Sequence, residues 1–302
     1  MSNRKKKGRD VSGILVVDKP LHLSSNQVVQ RVKRLFSAKK VGHTGSLDPL
    51  ASGVLPICLG HGTKVSQYLL ASDKSYQFCM RLGVTTSTGD SEGDILLQRE
   101  VPMLTADTIN TTLQQFCGEI SQIPPMYSAL KHQGQRLYAI ARAGKVVERP
   151  ARKVTIKSLD LVQQNANSLT LQVTCTKGTY VRTLAEDIGE AIGCGAHVTL
   201  LRRTEAGPFS LTQAVTLQQL EALQDNQTEL DRMLCSLDVA LLDYPVITCN
   251  EQQQNDLCMG RKIAIEQLPK HDLMRLNDLH GEIFGLGKWS TEGCLAPVRI
   301  FV

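Results

Sequence analysis

The chain has 302 residues, 42% hydrophobic and 21% charged, enough apolar material for one large domain with a sizeable core plus a small one. That composition excludes a disordered scaffold. The formal net charge is only +5, but it is segregated: residues 31–40 hold five basic residues and no acid, residues 131–153 hold seven Lys or Arg against Glu148, and residues 206–245 hold six acids against Arg232. One face suited to phosphates and one left to water are expected.

In chain order, the basic N-terminal residues 4–7 precede Gly13-Ile-Leu-Val-Val17, which reads as a short buried strand and is too brief for a signal-peptide core or a membrane span. Ser24 or Ser25 then caps a helix whose apolar residues Val28, Val29, Val32, Leu35 and Phe36 recur at helical spacing. A loop is expected over 42–53, an apolar run over 54–59 and a short helix over 63–70. Alternation over 76–82 puts Tyr76, Phe78, Met80 and Leu82 on one face of a strand. Thr105 caps a helix carrying Ile109, Leu113 and Phe116, which Gly118 can close.

The stretch 131–152 is polar, basic and Gly-containing after the stiff Pro124-Pro125 pair, and reads as an insertion projecting from the core. Leu169, Leu171, Val173 and Cys175 alternate as a strand; Val181, Leu184, Ala185, Ile188 and Ile192 follow helical spacing; residues 196–203 return to a strand. An acidic helical stretch over 217–242 leads to Tyr244-Pro245, and short Gly-punctuated strands follow. Mixed elements without a βαβ rhythm predict an α+β domain over 10–246 with a largely antiparallel sheet, and a small β-rich module over 247–302.

The nine cysteines form no Cys-x-x-Cys pair, and the seven histidines form no ligand-spaced cluster, so reduced thiols in a cytoplasmic protein without a metal are expected. Neither phosphate-loop nor dinucleotide-binding glycine patterns occur, which disfavours ATP or NAD as a cofactor. The most informative stretch is Gly42-His-Thr-Gly-Ser-Leu-Asp-Pro-Leu-Ala-Ser-Gly-Val-Leu-Pro56. Pro49 pushes Asp48 away from helical dihedrals, and such a loop can hold one carboxylate rigidly at the end of a strand. Read alone, Asp48-Pro49 is first of all a turn whose carboxylate accepts backbone hydrogen bonds. His43 reads as a buried or base-stacking residue.

This stretch resembles the catalytic motif of the TruB family, the tRNA pseudouridine-55 synthases. Val17-Asp-Lys-Pro20, Lys74-Ser-Tyr-Gln77, Pro124-Pro-Met-Tyr-Ser-Ala-Leu-Lys131 and Lys177-Gly-Thr-Tyr-Val-Arg-Thr-Leu-Ala-Glu-Asp-Ile-Gly189 agree with it in order and spacing over roughly residues 10–210. The resemblance implies a cofactor-free isomerisation of uridine to pseudouridine at position 55 in the T-loop of tRNA. It implies Asp48 as the catalytic aspartate, Tyr76 as the ring that stacks on the target base, and Arg182 as the partner of Asp48. Leu201 would pack beside the base, Tyr180 line the site, and His43 help order the flipped-out nucleotide. Lys19 and Pro20 would support the site. Beyond it, the glycine pattern and Gly260-Arg261 resemble a PUA-type RNA-binding β-barrel.

The residue types suit this chemistry. Hydrolysis of a glycosidic bond usually needs two carboxylates, whereas an isomerase that detaches uracil and rejoins it through C5 needs one, in a cage that excludes water. The expected partner is the T-arm of tRNA, bound by a monomer with no membrane and no obligatory protein partner. Two other readings stay open: a synthase guided to other RNAs by a ribonucleoprotein, and an RNA-binding or tRNA-folding module whose catalysis is secondary.

Overall fold

The computed structural model describes residues 8–265, 271–290 and 293–301, so the basic residues at 4–7 lie outside the described residues. Among the described residues ten strands form the main sheet: β1 (Gly13–Lys19), β2 (Val41–His43), β3 (Ala51–Leu59), β4 (Lys74–Leu82), β5 (Gly118–Gln122), β6 (Arg152–Asn165), β7 (Ser168–Cys175), β8 (Ala196–Ala206), β9 (Phe209–Ser210) and β10 (Val215–Thr216). Their spatial order is β10-β1-β3-β8-β4-β7-β6-β5, with β2 added to β3 and β9 to β8. Neighbours are antiparallel except β3 with β8 at the centre and β1 with β10 at the edge. The expected α+β domain with a largely antiparallel sheet is therefore present.

Several boundaries moved, each for a physical reason. Helix α1 (Ser25–Leu35) starts at the expected cap: Ser24 and Gln27 bond each other's backbone in a capping box, typically contributing about 1 kcal/mol. The loop expected over 42–53 shrinks because both its ends are drawn into strand pairing, Val41 to His43 opposite Leu59 to Ile57. Helix Ala106–Gln114 ends before the expected stop, and Gly118 instead begins β5 at φ +91°. The longest strand, β6, lay unread in the sequence; its N-terminal end sits inside what reads as a basic insertion. What projects there is a small hairpin (Lys131–His132 with Gln135–Arg136) and a six-residue helix, Leu137–Arg142, that buries Leu137 and Ile140. The acidic stretch 217–242 forms three short helical pieces rather than one helix.

One glycine is needed where the central strands meet. Gly53 has φ +104°, and a Cβ there would stand 2.1 Å from the Arg203 carbonyl oxygen of β8. Without a side chain, β3 and β8 can close on each other and bring their site residues into one layer.

The C-terminal segment folds as helix Glu251–Cys258 and a sheet of β11 (Val246–Thr248), β12 (Met274–Asn277), β13 (Ile283–Trp289) and β14 (Leu295–Ile300) in that order. The barrel expected here does not close among the described residues: β11 and β14 are its two ends and do not pair, and Ile263 adds only a single bridge to Leu295. Three-residue β11 is too short to continue the sheet around. Leu286 and Phe301 of this module pack with Ile14, Val16, Val54 and Cys58 on one face of the main sheet, while a second small core gathers Ile247, Leu257, Met274 and Leu295. Among the described residues no helix is long and apolar enough to cross a membrane.

Candidate active site

The loop 44–50 is held from both sides by the segment that follows β1. The Ser25 hydroxyl, buried at the start of α1, accepts from the Leu47 amide at 2.7 Å and donates to the Leu47 carbonyl at 3.0 Å. The His22 amide donates to the Pro49 carbonyl at 2.8 Å. That segment is itself pinned by Lys19, fully buried, whose ammonium donates to the carbonyls of Pro20 and Leu23. Burial is the main reason its pKa falls to about 8. Asp48 thus stands between two clamped residues, which fixes where its carboxylate can point.

It points into a cavity of ≈ 300 Å³ between this loop, β4, β8 and the N-terminus of helix α2 (Val181–Ile192). Asp48, Tyr76, Tyr180, Arg182 and Leu201 all line it. His43 does not: it lies one strand residue before the loop, half-buried, with Nδ1 accepting from the Gly45 amide at 3.3 Å. Burial, helped by Arg203 and Arg136, holds its pKa below the usual histidine value.

Arg182 is the centre of the electrostatics. Its Nη2 stands 2.9 Å from Asp48 Oδ2 and its Nη1 3.4 Å from Asp90 Oδ2; the Arg182 and Asp90 side chains are only 6% and 5% exposed, Asp48 42%. The carbonyls of Thr88 and Tyr127 accept from the same guanidinium at 2.8 and 2.7 Å. Asp90 is locked in turn by the Thr88 hydroxyl at 2.5 Å and the Glu92 amide at 3.1 Å. A buried cation fixed on one side therefore presents its fork to the one carboxylate that, among the described residues, reaches the cavity.

The aromatic residues are placed by strand and helix geometry. Tyr76 faces the core side of β4 as its alternation requires, opposite Arg203 of β8, and burial pushes its phenol pKa up. Tyr180 precedes α2; the Gln122 side chain of β5 accepts from its amide at 3.0 Å and donates to its carbonyl at 3.4 Å, and burial raises its phenol as well. Leu201, 6% exposed, sits beside Ala51 and Phe78.

Sequence reasoning missed Asp90, Gln122, Ser25 and Arg203. Asp90 sits in a polar run that reads as surface and becomes buried only because Ser91 bonds to Val198 of β8. Arg203 left a signal: two residues from Leu201 on one strand, it must share that residue's face. Among the described residues no group of three His, Cys, Asp or Glu is placed to hold a metal ion.

Residues 33–181 match the profile described as TruB family pseudouridylate synthase (N terminal domain), 182–242 the tRNA pseudouridylate synthase B C-terminal domain, and 245–301 the Pseudouridine synthase II TruB C-terminal region. Relatives named tRNA pseudouridine synthase B are 50% identical in Pseudomonas aeruginosa (strain UCBPP-PA14) and 51% in Pseudomonas putida (strain GB-1), each over 302 residues and 99% of both chains. The chain belongs to the TruB family of pseudouridylate synthases. In fold it is similar to a chain of the Cbf5-Nop10-Gar1 complex (TM-score 0.74, 24% identity, 96% of this chain and 85% of that one). It is likewise similar to one of an H/ACA RNP bound to a substrate RNA (TM-score 0.73, 21% identity, 100% and 92%).

Proposed function

We propose that the chain converts the uridine at position 55 in the T-loop of tRNA to pseudouridine, with Asp48 as its one catalytic carboxylate and no cofactor. The observation that carries this reading is the pair of Arg182 and Asp48, buried on the arginine side and open to the cavity on the aspartate side. Asp48 acts at the ribose carbon, as nucleophile or as base, while Arg182 holds it in line. Tyr76 stacks on the flipped-out base, Leu201 packs beside it, Tyr180 closes the wall, and His43 acts just outside in ordering the nucleotide. Flipping costs a few kcal/mol, and stacking on a tyrosine returns about 1 to 3.

Phosphate contacts supply the remainder. In the insertion, Arg136 and Arg142 flank the Tyr138 ring at 5.9 and 5.7 Å from its centre, and Arg149 anchors the segment on the Pro124 carbonyl. On the 31–40 run, Arg31 is tied to Glu221 and Lys39 to Asp10, leaving Lys33, Arg34 and Lys40 as the exposed cations for RNA. The division into a catalytic domain over 10–246 and a PUA-like RNA-docking module over 247–302 belongs to the same reading. So do a cytoplasmic setting and a monomer that needs no protein partner.

The test is pseudouridine mapping in a bare tRNA transcript incubated with the protein alone and with Asp48→Asn. Pseudouridine in the T-loop with the wild type and none with the variant is expected. Tight binding without modification by either protein would turn the reading toward a guided enzyme or an RNA-folding module.

A further inference from the structure

The cavity carries an excess of positive charge. Asp48 is the one acid on its wall among the described residues, against Lys74, Lys177, Arg182 and Arg203. Arg182 is matched by two carboxylates, and buried Lys74 directs its ammonium to the carbonyls of Leu69, Leu70 and Ser72. Arg203 is different. The residue is 1% exposed, yet it forms no ion pair among the described residues. Nε donates to the Val54 carbonyl at 2.6 Å and Nη2 to the Gly45 carbonyl at 3.3 Å. A guanidinium has five N–H donors, so the neighbouring carbonyls leave capacity on the cavity side. Withdrawing a cation from water without an opposite charge is unfavourable, and the arrangement calls for an anion from outside. The field of Arg203 is felt around the site: it helps depress the pKa values of Lys19, Lys74 and His43.

In the reaction proposed above, the C1′–N1 bond breaks and its electron pair leaves with N1, whether Asp48 attacks C1′ or takes a proton from the ribose. The base is then a uracil anion, its charge shared among N1, O2 and O4. It turns until C5 faces C1′, and the C5–C1′ bond forms as the Asp48–C1′ bond breaks or, in the base route, as Asp48 returns its proton to the ribose; C5 gives up its proton and N1 gains one, so no oxidant, reductant or second substrate is consumed. We propose that Arg203 faces the target base and holds the detached uracil as its anion between cleavage and rejoining. Arg203 pairs with Tyr76 across β8 and β4, which sets its charge beside the ring that would stack on that base. The inference rests on the pseudouridine-synthase reading of the cavity.

The test compares wild type with Arg203→Met in single turnovers on a T-arm stem-loop carrying uridine or 5-fluorouridine at the target. Consumption of the target nucleoside is the readout. Fluorine at C5 makes the base anion easier to form. With uridine, R203M should be slower by about 100-fold, the scale of losing one donor to a developing anion, while RNA affinity stays within about threefold. With 5-fluorouridine the defect should shrink about tenfold, because a better leaving group needs the cation less. Equal defects on both RNAs, or none, would overturn the proposal. Should R203M not fold, wild type with an abasic T-arm and free 5-nitrouracil decides: affinity must rise as the pH carries that base through its own ionisation, and a flat or falling profile sinks the idea. Wild-type protein that leaves uridine untouched would instead defeat the pseudouridine reading itself.

Discussion

Arg182 illustrates how one side chain can be both legible and under-read. Its pairing with Asp48 was expected, but the second carboxylate, Asp90, and the two carbonyls that hold its other edge explain why it must be arginine: the planar fork serves four acceptors at once. Arg182→Lys keeps the charge and loses the geometry, so single-turnover pseudouridine formation should fall by about 100-fold with little change in RNA affinity. A matching loss of affinity would speak against a positioning role. One helical turn further on, burial, aided by Asp187, pushes the Glu186 carboxyl up to about 7 from 4.5. A carboxyl whose pKa is raised on folding stabilises the native state fully below about 4.5 and loses that contribution as pH rises through about 7. Thermal melts of Glu186→Gln should therefore gain on wild type as pH climbs through that window; a pH-independent difference would contradict the assignment.

At the scale of elements, the site is made where the start of a helix and the ends of two strands meet one loop. Ser25 bonds both backbone groups of Leu47. Ser25→Ala leaves a buried amide and carbonyl unsatisfied, which should cost about 1–3 kcal/mol in denaturant unfolding and slow turnover by loosening Asp48. If stability drops while turnover is unchanged, the clamp does not position the carboxylate. Gly53 is the stricter case: Gly53→Ala drives a methyl into the Arg203 backbone, and the expected outcome is a chain that no longer folds to a soluble form. Normal expression and melting of G53A would show that β3 and β8 tolerate a wider separation.

Across the whole molecule, the C-terminal module is not a free appendage. Leu286, fully buried, packs with Ile14, Val16 and Val54 of the main sheet. Leu286→Ala should cost about 2–5 kcal/mol and lower the melting temperature of the entire chain in a single calorimetric transition, because the cavity opens in a shared core. A separate low-temperature transition, with the main one unmoved, would mean the two units unfold independently. Four thiols sit deep in these cores, and burial lifts Cys58 to about 12 and Cys175 to about 11, which leaves them unreactive.

The linear sequence by itself determined the elements whose signals are local: the capped helix at Ser24, the alternating strand through Tyr76, the helix that carries Arg182, and the loop around Asp48 constrained by Gly and Pro. It also determined the family, because the motif residues stand in unbroken order. Tertiary structure decided what depends on residues far apart in the chain. Strand β6 gave a weak local signal beside a basic insertion and became a strand through pairing with β5 and β7. Asp90 was made a buried partner of Arg182 by packing against β8. The two-residue spacing from Leu201 gave Arg203 its face of the strand, but only the register of β8 against β3 and β4 set it beside Tyr76 and Gly53. Burial is a property of the assembled sheet, and the charges that give this cavity its character are the ones that only the assembled sheet could bury.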